Sequence, residues 1–160
     1  MTRRVALMGN PNVGKSTIFN GRTRLRQHTG NWSGKTVSGA RGTMHCGGRE
    51  MTLVDLPGTY SLRPRSAEER VARDFLSGGE ADAAVLVADA TCLERNLILI
   101  LQVLELLPNV VVCLNLMDEA RKKRIRIDVP ALERELGVPV VPCAARRGHG
   151  LPSLTQAVCR

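Results

Sequence analysis

The stretch Gly9-Asn-Pro-Asn-Val-Gly-Lys-Ser16 fits the phosphate-loop pattern G-x-x-x-x-G-K-[ST]. It follows the apolar run Val5–Met8 and leads into Thr17-Ile18-Phe19-Asn20. A strand, a glycine loop and a helix start, in that order, are the context in which the pattern has a mechanism. Gly9 and Gly14 let the backbone curl so that successive N–H groups point inward at phosphate oxygens. The helix N-terminus adds unpaired donors and the positive end of its dipole. Lys15 is placed to reach the β- and γ-phosphates, and the Ser16 hydroxyl to sit on Mg²⁺.

The remaining composition fits one domain built around that unit. A chain of 160 residues can bury a sizeable single core. With 43% hydrophobic but only 2% aromatic residues, that core has to be aliphatic, as in a sheet covered on both faces. The longest apolar run, Leu97–Leu107, is interrupted by Gln102 and Glu105 and falls short of a membrane span. Residues 1–9 lack the apolar stretch of a signal peptide. The five cysteines show no metal-ligand spacing, and their odd number on mostly apolar segments predicts reduced thiols in a cytosolic setting. The net charge is +8, with its densest run at Arg121–Arg126. A solvated helix face accounts for that run as well as RNA or an anionic membrane surface does.

Strand-like and helix-like stretches alternate along the chain. Strands are predicted at Arg4–Met8, Thr43–Cys46, Met51–Asp55, Ala83–Asp89, Val110–Asn115 and Val140–Cys143. Helices are predicted at Lys15–Arg22, Ala67–Leu76, Leu93–Leu106, Met117–Lys123, Pro130–Leu136 and Leu151–Val158. This alternation predicts a three-layer α/β fold with a six-stranded, mostly parallel sheet. Gly47-Gly48 between two neighbouring strands is a hairpin signal, so one edge strand is expected to run antiparallel. Thr23–Gly42 and Gly58–Ser66 read as loops, and long loops in a small domain are commonly functional.

Three further boxes follow, each after a strand. Asp55-Leu56-Pro57-Gly58 offers a carboxylate for Mg²⁺ through water and a Gly58 N–H for a γ-phosphate. Asn115-Leu116-Met117-Asp118 ends another strand. The Asp118 carboxylate only accepts, and guanine presents adjacent N1 and N2 donors that adenine lacks, so Asp118 selects the base; Asn115 braces the loop. The competing reading of Asp118 is a helix N-cap. Ala144-Ala145-Arg146 then follows the last strand, where a backbone N–H can reach guanine O6. Thr36, in the first long loop, is the candidate hydroxyl that closes on Mg²⁺ with GTP bound. The nucleotide-binding set is therefore Gly9, Asn10, Pro11, Asn12, Val13, Gly14, Lys15, Ser16 and Thr17 with the three boxes; Ser16, Thr36 and Asp55 are the Mg²⁺ residues.

With these residues in view, the chain resembles the G domain of FeoB, the bacterial ferrous iron transport protein B. The resemblance rests on GNPNVGKSTIFN (9–20), LRQHTGNWSGKTV (25–37), LVDLPGTYSL (53–62), SAEERVARDFL (66–76), VADATCLERNL (87–97) and LNLMDEA (114–120). Departures are Ser33 and Lys35, where the family's first loop has proline and valine, and Ala144 in place of a serine. The family's full protein continues into a helical guanine-nucleotide-dissociation-inhibitor (GDI) domain and a membrane domain. The resemblance thus implies a single G domain of P-loop GTPase, Ras-like fold at the cytoplasmic face of a bacterial inner membrane, with those two domains as partners and no nucleic acid; a homo-oligomer is a further candidate. It also implies a K⁺ ion held by a phosphate-loop Asn and first-loop carbonyls, and Asn12 occupies that position.

The expected activity is slow GTP hydrolysis that gates iron uptake, with Lys15, Thr36, Gly58 and Asn12 as the catalytic candidates. Small GTPases commonly place a Gln just after D-x-x-G to orient water, and here that residue is Thr59, which is too short. Arg22, Arg24 and Arg26 lie near the first loop and read as solvated arginines in preference to an arginine finger. Asn12 reads equally as a turn residue. Two other classes stay open: a ribosome- or RNA-associated GTPase, and a GTP-sensing module with negligible turnover.

Overall fold

A computed structural model describes residues 2–31 and 38–160 of the chain. Its central strand, β1 (Arg3–Gly9), is buried from Val5 onward, and successive side chains face opposite ways. Ala6 and Met8 belong to one apolar cluster, Val5 and Leu7 to another. That split is what a sheet with helices on both faces requires.

Around β1 the chain adds α1 (Lys15–Arg22), β2 (Arg24–Asn31), β3 (Ser38–Cys46), β4 (Arg49–Asp55), α2 (Ala67–Ser77), β5 (Ala83–Asp89) and α3 (Leu93–Leu106). It closes with β6 (Val110–Asn115), α4 (Met117–Lys122), α5 (Val129–Leu136), β7 (Val140–Pro142) and α6 (Leu151–Val158). The sheet order is β2-β3-β4-β1-β5-β6-β7. Pairing is parallel from β4 through β7 and antiparallel for β2 with β3 and β3 with β4. One face packs under Phe75 of α2 and Leu99, Ile100 and Val103 of α3. The other lies under Ile18 and Phe19 of α1 and Leu151, Leu154 and Val158 of α6.

The six expected strands are all present, and the described sheet has a seventh, β2, at its edge. Arg24–Asn31 reads Arg-Leu-Arg-Gln-His-Thr-Gly-Asn, with no apolar alternation to announce a strand; it joins by backbone pairing, from Arg24↔Thr43 to Asn31↔Ser38. The hairpin between β3 and β4 turns on Gly47 (φ 54°) and Gly48 (φ 80°), the paired positive angles of a type I′ turn. Side-chain caps and a glycine bound two of the helices. Ser66 Oγ accepts from Glu69 N at 3.1 Å to start α2, and Asp128 Oδ1 accepts from Ala131 N at 3.0 Å to start α5. Gly137, at φ 71°, ends α5.

The expectation of reduced thiols is also corrected. Cys46, ending β3, is disulfide-bonded to Cys159, just after α6, with Cα atoms 5.8 Å apart. The partners are 113 residues apart, and only the packing of α6 beside β3 brings them together. Cys92, Cys113 and Cys143 are the free thiols.

Candidate nucleotide-binding site

The parallel register lines up the carboxyl ends of four strands. Leu7 pairs with Asp55, Gly9 with Val87 and Asp89 with Asn115. Loops leaving those ends share one edge of the sheet, where open α/β folds bind ligands. The phosphate loop leaves β1, Asp55–Gly58 leaves β4, Asn115–Asp118 leaves β6 and Ala144–Arg146 follows β7.

Close backbone approaches explain the glycines. Gly14 stands at φ 92° as the N-cap of α1, and a Cβ there would run into Asn115 Nδ2. A Cβ on Gly58 would lie 3.2 Å from Pro11 Cα, so the two phosphate-side loops touch through backbone. Thr59 N donates to Gly9 O at 3.1 Å and Leu56 N to Leu7 O at 3.0 Å, which continues that contact. Gly14→Ala is therefore expected to cost about 1–3 kcal/mol through the left-handed angle alone, with further loss from the Asn115 clash. A thermal melt within a degree or two of wild type would show that the loop tolerates the methyl.

Lys15 connects two boxes. Its Nζ donates to Asp55 Oδ1 at 2.5 Å and to Leu56 O at 2.6 Å, with the pair largely shielded from solvent. The Mg²⁺ and phosphate residues expected from sequence are thus side by side. The Ser16 side chain is exposed at the start of α1. The Asp55 carboxylate and the Ser16 hydroxyl are hard oxygen donors, the set Mg²⁺ prefers. Asn12 is exposed and stands at φ 64°, a left-handed turn position that Asn tolerates. Its backbone does the turn residue's work while its amide remains at the surface. Thr36 lies outside the described residues, as do Trp32, Ser33 and Lys35.

The base side is organised by Asn115, which is 1% exposed. Its Nδ2 donates to Val13 O at 2.9 Å and its Oδ1 accepts from Ala145 N at 3.0 Å. One amide thus ties the phosphate loop to the loop after β7, the bracing role expected of it. Leu116 takes φ 63° as the N-cap of α4, which places Met117 and Asp118 in the first helical turn. Asp118 is therefore not the helix cap. Its Oδ2 instead lies 3.5 Å from Arg147 Nε.

The loop after β7 forms a short 3₁₀ turn, Ala145–Arg147, ended by Gly148 at φ 72°. Ala144 N donates to His149 O at 3.0 Å, and Ala145 N is taken by Asn115. Of the three residues expected to supply the O6 donor, Arg146 is the one whose N–H neither bond uses. Beneath this loop Cys143 shares a hydrogen bond with Cys113. The bond holds the Cys143 thiol below its ordinary pKa and, with burial, pushes the Cys113 thiol up.

Two further residues bear on the catalytic expectations, while the side chains of Arg24 and Arg26 lie outside the described residues. Arg22 Nη1 donates to Thr155 Oγ1 at 2.9 Å, which holds it against α6 and away from the phosphate loop. Thr59 is 3% exposed, and its hydroxyl, like the Asn10 Oδ1, has no hydrogen-bond partner among the described residues. A short, buried hydroxyl is not placed to orient a solvent water. Arg147 is the site residue that motif reading missed; its only signal was its place next to Arg146.

A family model described as ferrous iron transport protein B matches residues 3–158. The chain is 47% identical over 160 residues to the Fe(2+) transporter FeoB of Salmonella typhimurium, an alignment covering 98% of this chain and 21% of that protein. The chain therefore spans about a fifth of the length of the curated relatives it matches. The G domain of the T. maritima FeoB iron transporter superposes with a TM-score of 0.92 at 41% identity, covering 99% of this chain and 97% of that one. The cytosolic domain of the same transporter, solved in a GDP form, gives 0.93 at 41% identity, covering 99% of this chain and 62% of that one.

Proposed function

Because this chain belongs to the ferrous iron transport protein B family, matched over residues 3–158, we propose that it is a guanine-nucleotide switch: it binds GTP with Mg²⁺, hydrolyses it slowly, and thereby regulates ferrous iron uptake by a longer parent protein. We read its 160 residues as one G domain at the cytoplasmic face of a bacterial inner membrane. Its partners in the parent protein are a helical GDI domain and a membrane domain. The GDP form of the similar T. maritima domain supports the nucleotide class. The observation that carries the reading is the Asn115 amide, which joins phosphate loop and base loop at the same sheet edge from which the Lys15, Asp55 and Asp118 loops leave.

In this reading the loop Gly9–Lys15 receives the phosphates through its N–H groups. Lys15 exchanges Asp55 Oδ1 and Leu56 O for β- and γ-phosphate oxygens, which frees the Asp55 carboxylate. Ser16 and Asp55 would hold Mg²⁺, which when bound would draw charge from the phosphate oxygens. Gly58 N–H meets the γ-phosphate. Asp118 accepts from guanine N1 and N2, and Arg146 N–H donates to O6. Thr36 adds a hydroxyl in the triphosphate state.

Thr59 is buried and Arg22 is tethered, so neither of these two supplies water activation or charge neutralisation. An intrinsic rate on the order of 10⁻⁴ s⁻¹ follows, as for a small GTPase without its activating partner. K⁺ bound by the exposed Asn12 amide oxygen and phosphate oxygens would supply the missing positive charge. Single-turnover hydrolysis in KCl and in NaCl at equal ionic strength tests both points. Phosphate release is expected in both salts and faster in KCl, and Asn12→Ala is expected to remove the difference with little change in GDP affinity. Equal wild-type rates would exclude the cation, and no phosphate release in either salt would leave a sensor without turnover.

A further inference from the structure

The Asp118 carboxylate is engaged by a side chain of its own chain. Arg147 Nε lies 3.5 Å from Asp118 Oδ2, with Asp118 23% and Arg147 58% exposed. The contact is built by local structure. Ala145 is fixed by its N–H bond to Asn115 Oδ1, the 3₁₀ turn carries Arg147 past it, and Gly148 at φ 72° with the Ala144–His149 backbone pair closes the loop. Arg147 is thus presented to the first turn of α4, across 29 residues of sequence.

The chemistry of the two possible partners of Asp118 is the same. Guanine offers a carboxylate the N1–H and the N2 amine, two coplanar donors on one carbon. That edge is a guanidine fragment. Arginine's guanidinium is the same fragment with a full positive charge and a planar fork of donors. A carboxylate that reads guanine by this pattern reads arginine by it too.

We infer that Arg147 is an internal stand-in for the guanine edge, a specificity-site residue that competes with the base for Asp118 and speeds nucleotide release. This rests on the reading of Asp118 as the base-selecting residue. The contact is single and half in solvent, so it is weak and readily displaced. It therefore does not prevent binding; it gives the departing base a replacement at the moment Asp118 would otherwise lose both of its donors. The effect is at the base end and is the same for GDP and GTP, whereas the phosphate-side residues distinguish the two.

Release of a fluorescent GDP and of a fluorescent non-hydrolysable GTP, followed by stopped flow from the wild-type chain, Arg147→Ala and Arg147→Lys, tests this. Arg147→Ala is expected to slow release of both nucleotides about 1.4- to 5-fold, the range spanned by exposed ion pairs. Arg147→Lys keeps the charge but not the planar fork and is expected to fall between. In an Asp118→Asn background Arg147→Ala is expected to change nothing. An Arg147 that only braced the loop would show the opposite sign, with faster release in Arg147→Ala; that result, or unchanged release, overturns the inference. If Asp118→Asn alone leaves guanine binding intact, the base assignment itself fails. If Asp118→Asn weakens binding and Arg147→Ala does not slow release, only the competition fails.

Discussion

Lys15→Ala is expected to abolish tight GTP and GDP binding while the domain stays folded. Lys15 Nζ sits against Asp55 Oδ1 and Leu56 O at 2.5 and 2.6 Å, inside the angle between the phosphate loop and the D-x-x-G box. That is where β- and γ-phosphate oxygens come when a phosphate loop is filled. Truncating one partner of a shielded charge pair costs about 2–5 kcal/mol or more, on the order of 30-fold to several-thousand-fold in affinity. The fold should withstand the change, because both core clusters are built from apolar side chains that Lys15 does not join. Fluorescent-nucleotide titration with a circular dichroism control checks this, and affinity near wild type would remove Lys15 from the phosphate site.

Asp118→Asn is expected to exchange base preference. The substitution replaces one acceptor oxygen with an N–H donor, so a guanine donor faces another donor. An unpaired buried polar group costs about 1–3 kcal/mol, which corresponds to about 5- to 150-fold weaker GTP binding. Xanthine carries a carbonyl where guanine has its N2 amine, so the new amide donor gains a partner and xanthosine triphosphate binding improves. The structure strengthens this expectation, since Leu116 and not Asp118 is the N-cap of α4. Competition titrations with both triphosphates read the exchange. Unchanged GTP preference would mean that Asp118 reads no base.

The parts of the fold that were legible are those where one physical signal dominates. Ala83–Asp89 and Val110–Asn115 are short aliphatic runs between turn residues, and β5 and β6 have those bounds. Leu93–Leu106 is long, apolar and periodic, and α3 matches it. Arg24–Asn31 carried no such signal, because an edge strand recruited by backbone pairing needs no apolar alternation.

The site shows the same division. Asn115 was legible as a brace because its box follows a buried strand, but its two partners, Val13 O and Ala145 N, depend on tertiary packing. Ala145's commitment to Asn115 leaves Arg146 as the proposed O6 donor, a choice that spacing alone could not make. The Arg147–Asp118 and Cys46–Cys159 contacts lie far apart in sequence and have no motif. Thr59 was legible as too short; that its hydroxyl is buried was not.

Isothermal titration of the wild-type chain with GDP, GTP and ATP at one Mg²⁺ concentration tests most directly whether Asn115, Asp118 and Lys15 form one guanine-nucleotide site. Saturable one-to-one binding of GDP and GTP is expected, with ATP binding weaker by the two unmet donor contacts at Asp118. Equal affinity for ATP and GTP, or no binding of either, would contradict the assignment.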